Sequence, residues 1–555
     1  MIIVAQTTPE KKYPRNYFRN PLNIPLSLSG NFGELRPNHY HMGVDMKTMA
    51  KENLPVYAAA DGYIARVKIE PAGFGRAIYI NHPNGFTSLY AHLNDFFPAL
   101  EYYVKEQQYV QEAWKVFLDI PPGLFPLKKG DFIANSGNTG GSQAPHLHFE
   151  IRSTDDDVNL NPMLFGLPVA DNIKPAILRM SVYDRSRSTY EQIPRFIAVK
   201  KTAYGYTTMP YLITVPADKV SFAIGAFDTH TASTNPNGIY EASLYEDERF
   251  ITGFQMDHIS YDDTRYINAH IDYRTRAFGG SYLQHLSELP GYVNSIYYTG
   301  EGDGVINLSD GEVHSILILV KDANGNAAEL RCSIQSGGTT VVTPEPVGLK
   351  CYPRMLNAFE SEDCEFYIWE RGVYDTVIVG HTGTVSSNPS VVSAVHTIGR
   401  THIPVQDSFL IRVKPSRSLT PEKRNRVVMQ HFAGSGNEVQ KVEWNQDWAS
   451  ARFRDFGSFQ LLVDESPPVI VPAGIYDGAD LSKAVRITFA VTDNLGKSRN
   501  FRAELDGKWL RFTNDKTRNH VYRFDEMCPP GQHELKIIAE DEAGNVTTKL
   551  YQFRR

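Results

Sequence analysis

The chain has 555 residues, 42% of them hydrophobic and 12% aromatic, and carries a formal net charge of −7. That length is too great for one core and divides into three or four domains, and that apolar content excludes a disordered chain. The negative balance excludes non-specific nucleic-acid binding, which needs a basic face, and no apolar run approaches the ~20 residues of a membrane-spanning helix.

The start, "MIIVAQTTPEKKYP", reads as a trimmed or incomplete signal peptide, so residues 1–24 are taken as an arm. Residues 25–165 follow as a first domain of short β-prone runs and glycine turns. In "NHYHMGVDM" (38–46), His41 and Asp45 flank Gly43. A straight strand would hold them ~13 Å apart, and Asn38, Tyr40 and Gly43 make a poor helix. Gly43 is therefore expected to bend the chain until both side chains converge. His39 reads as a bystander.

"NHPNGFTS" places an Asn-Gly turn between two strands, and "SLYAHL" ends the second of them on His92. Residues 94–127 form a long insertion in which Phe97, Leu100 and Val104 fall at i, i+3 and i+7. That spacing predicts an amphipathic helix, which either walls one end of a groove or adds core. In "HLHFEI", Leu147, Phe149 and Ile151 alternate with His146, His148 and Glu150, so one face of this strand enters the core and the other carries both histidines. At ~6.6 Å between same-face neighbours, one imidazole can bind a metal while the other meets substrate, or both can bind. Spacing does not choose.

Beyond residue 165 the texture changes to alternating strands with Asp/Asn/Gly turns, the pattern of β-sandwiches. "KVSFAIGAFD" (219–228) matches "AVRITFAVTD" (484–493), and "HSILILVKDANGNA" (314–327) matches "HELKIIAEDEAGNV" (533–546). The lead-ins "DNIKPAI" and "DESPPVI" match as well. Two copies of one Ig-like module are expected at 171–335, with an insertion near 230–310, and at 464–555. The linker "QSGGTTVVTPEPVG" leads to a third β-rich domain at 349–463. These regions show no catalytic pattern. The four cysteines form no C-x-x-C, which excludes a cysteine-based zinc finger. Cys351 and Cys364 are the nearest pair for a disulfide, with buried free thiols as the alternative.

"FGELRPNHYHMGVDM", "PVYAAADGYIARV", "YAHL", "KKGDFIANSGNTGGS" and "PHLHFEIR" stand in the order seen in lysostaphin/LytM-type zinc endopeptidases of bacterial cell walls, which residues 25–165 resemble. The resemblance implies a β-sheet groove holding one Zn2+ through His41, Asp45 and His148, with His92 and His146 catalytic. Two imidazoles and a carboxylate make a three-ligand site with an open position, as zinc hydrolases use. No H-E-x-x-H helix supplies a glutamate base, which leaves His92 and His146 for proton transfer, in unassigned order. Glu150 is a second candidate base, or the group that orients a ligand histidine.

The expected fold class is mainly β, a groove peptidase domain followed by three sandwich-like domains. The expected activity is hydrolysis of peptidoglycan stems or crosslinks in the periplasm or outside the cell. Envelope proteins are the candidate partners of the Ig-like domains. A zinc-bound but silent regulator of another hydrolase, and a scaffold anchored by the peptidase domain, are the competing readings. On the enzyme reading, a cut near residue 170 should leave some activity on soluble muropeptides.

Overall fold

The computed structural model describes residues 13–555 apart from 232, 293–294, 340–345, 435, 497–498 and 518. The first half of the N-terminal arm and the centre of the 335–348 linker therefore lie outside the described residues. The rest is mainly β. The N-terminal domain is an antiparallel sheet in the order Leu28–Gly30, Val44–Lys47, His146–Ser153, Phe86–Ala91, Arg76–Asn81, Gly62–Ile69, Val116–Asp119. The expected hairpin closes at 82–85, where Gly85 takes a left-handed φ of 81°. A second sheet joins Pro55–Tyr57, Phe132–Ser136 and Leu93–Phe96. Alternation does the packing: Leu147, Phe149 and Ile151 are fully buried beside Val44, Met46 and Tyr90.

Residues 171–335 build one eleven-stranded sheet, with a register break between Thr207 and Leu212 where Tyr206–Val215 runs parallel to Ala327–Ser336. Residues 349–463 fold as two five-stranded sheets with a two-stranded ribbon of Leu349–Cys351 and Val377–Val379, and the last 92 residues as a three-stranded and a five-stranded sheet with a core of their own. All four cysteines are free and buried, so no Cys351–Cys364 disulfide forms; desolvation pushes the Cys351 and Cys364 thiols up to about 12.

The domains are not beads on a string. Phe32, Tyr40 and Met42 of the first domain are buried in the same apolar cluster as Phe254, Met256 and Tyr266 of the second. His258–Ile259 adds to the edge of the first domain's sheet by pairing with Asn159–Leu160. The insertion helix, Pro98–Val110, buries Leu100 and Val104 as its spacing predicts, and Phe97, immediately before it, packs half-buried against the same core. Its polar face meets the last module: Lys105 pairs with Asp525 at 2.8 Å and Glu526 at 2.6 Å, and Tyr109 packs edge-on against Trp509. The helix thus carries an interdomain contact that its own periodicity does not reveal.

A cut near residue 170 therefore removes cover from Phe32, Tyr40 and Met42, at roughly 1.5–3 kcal/mol for each large apolar side chain exposed. A 1–170 fragment is expected to melt well below the full chain in calorimetry and to bind a hydrophobic dye; equal stability would show that the domain is self-sufficient.

Candidate metal centre and its imidazoles

His148 sits in the middle of the sheet, opposite Asp45 on one neighbouring strand and Ala91 on the other. His41 arrives from the bend preceding Val44–Lys47, and His92 follows Ala91 directly. Gly43 does not use a left-handed backbone; its role is close approach. A Cβ there would lie 2.5 Å from the Phe149 carbonyl oxygen and 3.0 Å from His148 Nε2, so only glycine lets the bend press against the histidine strand.

Three donor atoms meet at one point. His41 Nε2 lies 3.0 Å from Asp45 Oδ1 and 3.0 Å from His148 Nδ1, and His148 Nδ1 lies 2.9 Å from Asp45 Oδ1. Each side chain is at least nine-tenths buried. The far side of each is anchored. His41 Nδ1 donates to the Asn31 carbonyl at 2.8 Å, Arg36 donates to Asp45 Oδ2 at 2.7 Å, and His148 Nε2 donates to Glu150 Oε1 at 2.9 Å. Those anchors leave His41 Nε2 and His148 Nδ1 as bare lone pairs facing one another beside a carboxylate oxygen. Such a knot needs a positive charge at its centre, a proton or a metal ion.

The titration behaviour says the same. Burial drives His41 down, and it works against Asp45, yet contacts with His41, His146 and His148 hold that carboxylate well below its usual range. Burial also disfavours charge on His148, but the hydrogen bonds it donates to the Asp45 and Glu150 carboxylates outweigh that and raise the imidazole to about 9.

The donor set fits zinc. Bonds of about 2.0–2.1 Å in a tetrahedron separate ligand atoms by roughly 3.3 Å, slightly more than the present contacts. Two imidazole nitrogens and one carboxylate oxygen are a donor set of the kind zinc takes.

His146 and His92 complete the cluster. His146 Nε2 touches one corner only, Asp45 Oδ1 at 3.3 Å, while its Nδ1 is tied to the Ala144 carbonyl at 2.8 Å. Its side chain is 16% exposed, more than those of His41, Asp45 and His148. His92 donates from Nδ1 to the Thr139 carbonyl at 2.8 Å, and its ring centre lies 4.8 Å from that of His146. Its φ of 59° is left-handed for a non-glycine residue, a conformation found where surroundings over-determine it. Burial, then the neighbouring imidazoles His146 and His148, push His92 down to about 3, so it stays neutral. The structure thus brings together all five residues singled out in the sequence. His39 stays outside, exposed, with its ring on the Pro37 carbonyl.

Glu150 is fully buried and cannot reach a substrate, which removes it as a base. It is the anchor of His148 instead. Its carboxylate accepts from Arg152 Nε at 2.7 Å, Asn159 Nδ2 at 2.7 Å and the Tyr261 hydroxyl at 2.7 Å. Burial opposes its charge, but Arg152 and then His148 and Tyr261 hold it at about 2. Tyr261 belongs to the insertion of the second domain. So does Gly238, whose N–H donates to Asn31 Oδ1 at 2.8 Å and whose carbonyl accepts from Asn31 Nδ2 at 2.7 Å, fixing the residue that orients His41. Sequence reasoning missed Asn31, which acts on His41 through a main-chain carbonyl that no residue type signals, and it missed Tyr261 and Gly238 because no local pattern links positions more than a hundred residues apart.

With this geometry in view, residues 39–116 match the sequence profile of peptidase family M23, and residues 351–464 that of the Zu5-like domain. The chain carries an M23 peptidase domain. The profile match ends inside the insertion, short of His146 and His148, which the sheet brings to the site. Among curated relatives, the chain is 34% identical over 163 residues to a protein of Haemophilus influenzae named an uncharacterized metalloprotease, covering 28% of each. It is 33% identical over 131 residues to the DD-carboxypeptidase/endopeptidase Mpg of Neisseria meningitidis, covering 24% of each. It is 27% identical over 165 residues to the peptidoglycan DD-endopeptidase ShyA of Vibrio cholerae, covering 29% of this chain and 32% of that one. The chain thus spans about a quarter to a third of the relatives' length.

The M23 domain depends on anchors outside the direct donors. Glu150→Gln and Tyr261→Phe are each expected to weaken zinc affinity by about 10–100-fold, measured by competition with a chromophoric chelator. Gly43→Ala should abolish zinc binding while leaving the far-ultraviolet circular dichroism of the three β modules in place. Undisturbed zinc in that variant would show that the bend can relax.

Proposed function

We propose that the chain is a zinc-dependent endopeptidase that hydrolyses peptide bonds in peptidoglycan stems or crosslinks, in the periplasm or outside the cell. The observation that carries this reading is the three-donor knot of His41, Asp45 and His148 with two further imidazoles beside it. When bound there, zinc would polarise the scissile carbonyl and bring the pKa of a water to roughly 7. The remaining work falls to side chains of the chain.

His41 Nε2, Asp45 Oδ1 and His148 Nδ1 would hold the ion, each fixed from behind. His146, with Nδ1–H on the Ala144 carbonyl, presents Nε2 as a proton acceptor on the more exposed side of the cluster, where a substrate can reach it. It takes the proton from the attacking water and returns it to the leaving amine. His92, kept neutral and held by Thr139, packs beside it and fixes its ring. The peptidoglycan assignment draws on the resemblance and on the names of the relatives. No helix among the described residues is long and apolar enough to cross a membrane. A silent regulator would leave His92 and His146 without work, and a scaffold would leave the donor knot unexplained.

Purified sacculi digested with the zinc-loaded protein should lose crosslinked dimers, read by mass spectrometry. His146→Ala is expected to keep one zinc per chain and to lose about 10²–10⁴-fold in turnover. His148→Ala should lose both metal and activity. Intact sacculi after treatment with the fully metallated protein would overturn the enzyme reading, and a metal-free His146→Ala would make that residue a ligand.

A further inference from the structure

We propose that the two homologous β modules each bind a calcium-type divalent cation where the chain enters them, through Asp171, Asp228 and Asp322 in the first and through Asp464, Asp493 and Asp541 in the last. The six residues occupy equivalent positions of the internal repeat. Asp171 and Asp464 open the lead-ins "DNIKPAI" and "DESPPVI"; Asp228 and Asp493 end the matching strands; Asp322 and Asp541 open the turns "DANGN" and "DEAGN".

The fold gathers them. In the last module, one carboxylate oxygen from each of Asp464, Asp493 and Asp541 lies within 4.8 Å of the others, and in the first module Asp171, Asp228 and His230 converge in the same way. Asp322 stands close enough to add its charge to that of Asp171 in pushing Asp228, already raised by burial, up to about 7.

Two observations point to a missing ligand. Asp228 is only 2% exposed, yet its Oδ1 has no hydrogen-bond partner, and the buried Asp171 Oδ2 has no hydrogen bond either, only the His230 imidazole 3.4 Å away. Asp493 Oδ1, the equivalent of Asp228, is orphaned too. Buried carboxylate oxygens without donors are costly, and three carboxylates facing one another more so. The ion-pair partner of Asp171 is His230, at 3.4 Å, not a lysine or arginine.

The turns are meanwhile arranged to aim oxygens. Asn326 donates to Asp322 through both its backbone and its side chain, and Asn545 does the same for Asp541. Asn545 Nδ2, shared between Asp541 Oδ2 and the Asp464 carbonyl at 3.0 Å, ties the turn to the incoming chain. The donor set is all carboxylate in the last module and carboxylate with one imidazole, His230, in the first, and a preorganised set dominated by carboxylate oxygens favours a hard cation.

The test uses the zinc-loaded full chain in equilibrium dialysis against radioactive calcium at about 1 mM, within the range of extracellular calcium modules. Wild type should bind two calcium ions, Asp228→Asn one, and the Asp228→Asn/Asp493→Asn double variant none. Calorimetry supplies the control for folding. Calcium should raise the melting temperature of wild type alone, and without calcium the double variant should melt no lower than wild type, since asparagine removes buried like charge. Absence of bound calcium in wild type, undiminished binding in the double variant, or a double variant that melts lower in calcium-free buffer would each overturn the proposal.

Discussion

Everything in the N-terminal domain is organised around the mutual approach of His41 Nε2, His148 Nδ1 and Asp45 Oδ1 to about 3 Å. Two lone pairs and a carboxylate at that separation repel unless a cation lies among them, so the surrounding structure must hold them against one another. The anchors do this. Asn31 sets the His41 ring, Arg36 takes the outer oxygen of Asp45, and Glu150 takes the outer nitrogen of His148. Gly43 permits the approach, because any side chain there would strike the Phe149 carbonyl.

The anchors explain why the second domain is packed so closely on the first. Glu150 is a buried charge, tolerable only with its oxygens saturated, and one of its donors is Tyr261 from the neighbouring domain. Asn31 is clamped on both its amide oxygen and nitrogen by Gly238. The apolar contact through Phe32, Tyr40 and Met42 supplies the area, and these polar contacts supply the register. The first two domains are in that sense one structural unit, although their β patterns differ.

Much of the site was legible because its logic is local. The period of two in "HLHFEI" puts His146 and His148 on one face, and the bulk of Leu147, Phe149 and Ile151 decides that the opposite face is core. The "NHYHMGVDM" bend required convergence across Gly43, though the reason turned out to be steric closeness and not a special φ. Two other readings stayed open until packing was visible. Glu150 could have been base or anchor, and only complete burial separates the two. The helix at 98–110 has an apolar stripe that predicts one packed face, but nothing in its period says that Lys105 and Tyr109 meet another domain. Side-chain periodicity reports whether a face is buried, not what buries it, and so Tyr261, Gly238 and Trp509 were beyond reach.

That last contact closes the molecule into a ring of dependencies. The final module reaches the glycine-rich loop of the first domain, where Gly140 N–H donates to Asp515 Oδ1 at 2.9 Å and Lys516 Nζ donates to Asn138 Oδ1 at 3.1 Å. The same loop carries Thr139, whose carbonyl sets the tautomer of His92, and Ser142, whose hydroxyl lies 3.1 Å from His146 Nδ1. The loop packs tightly enough that a Cβ on Gly140 would come within 2.2 Å of Gly75 N, so it has little freedom to move independently of its neighbours. Hence His41 and His148 are braced by the second domain, and His92 and His146 by the last one. A displacement of either domain would be felt first at the orientation of an imidazole, where a small rotation matters most to proton transfer.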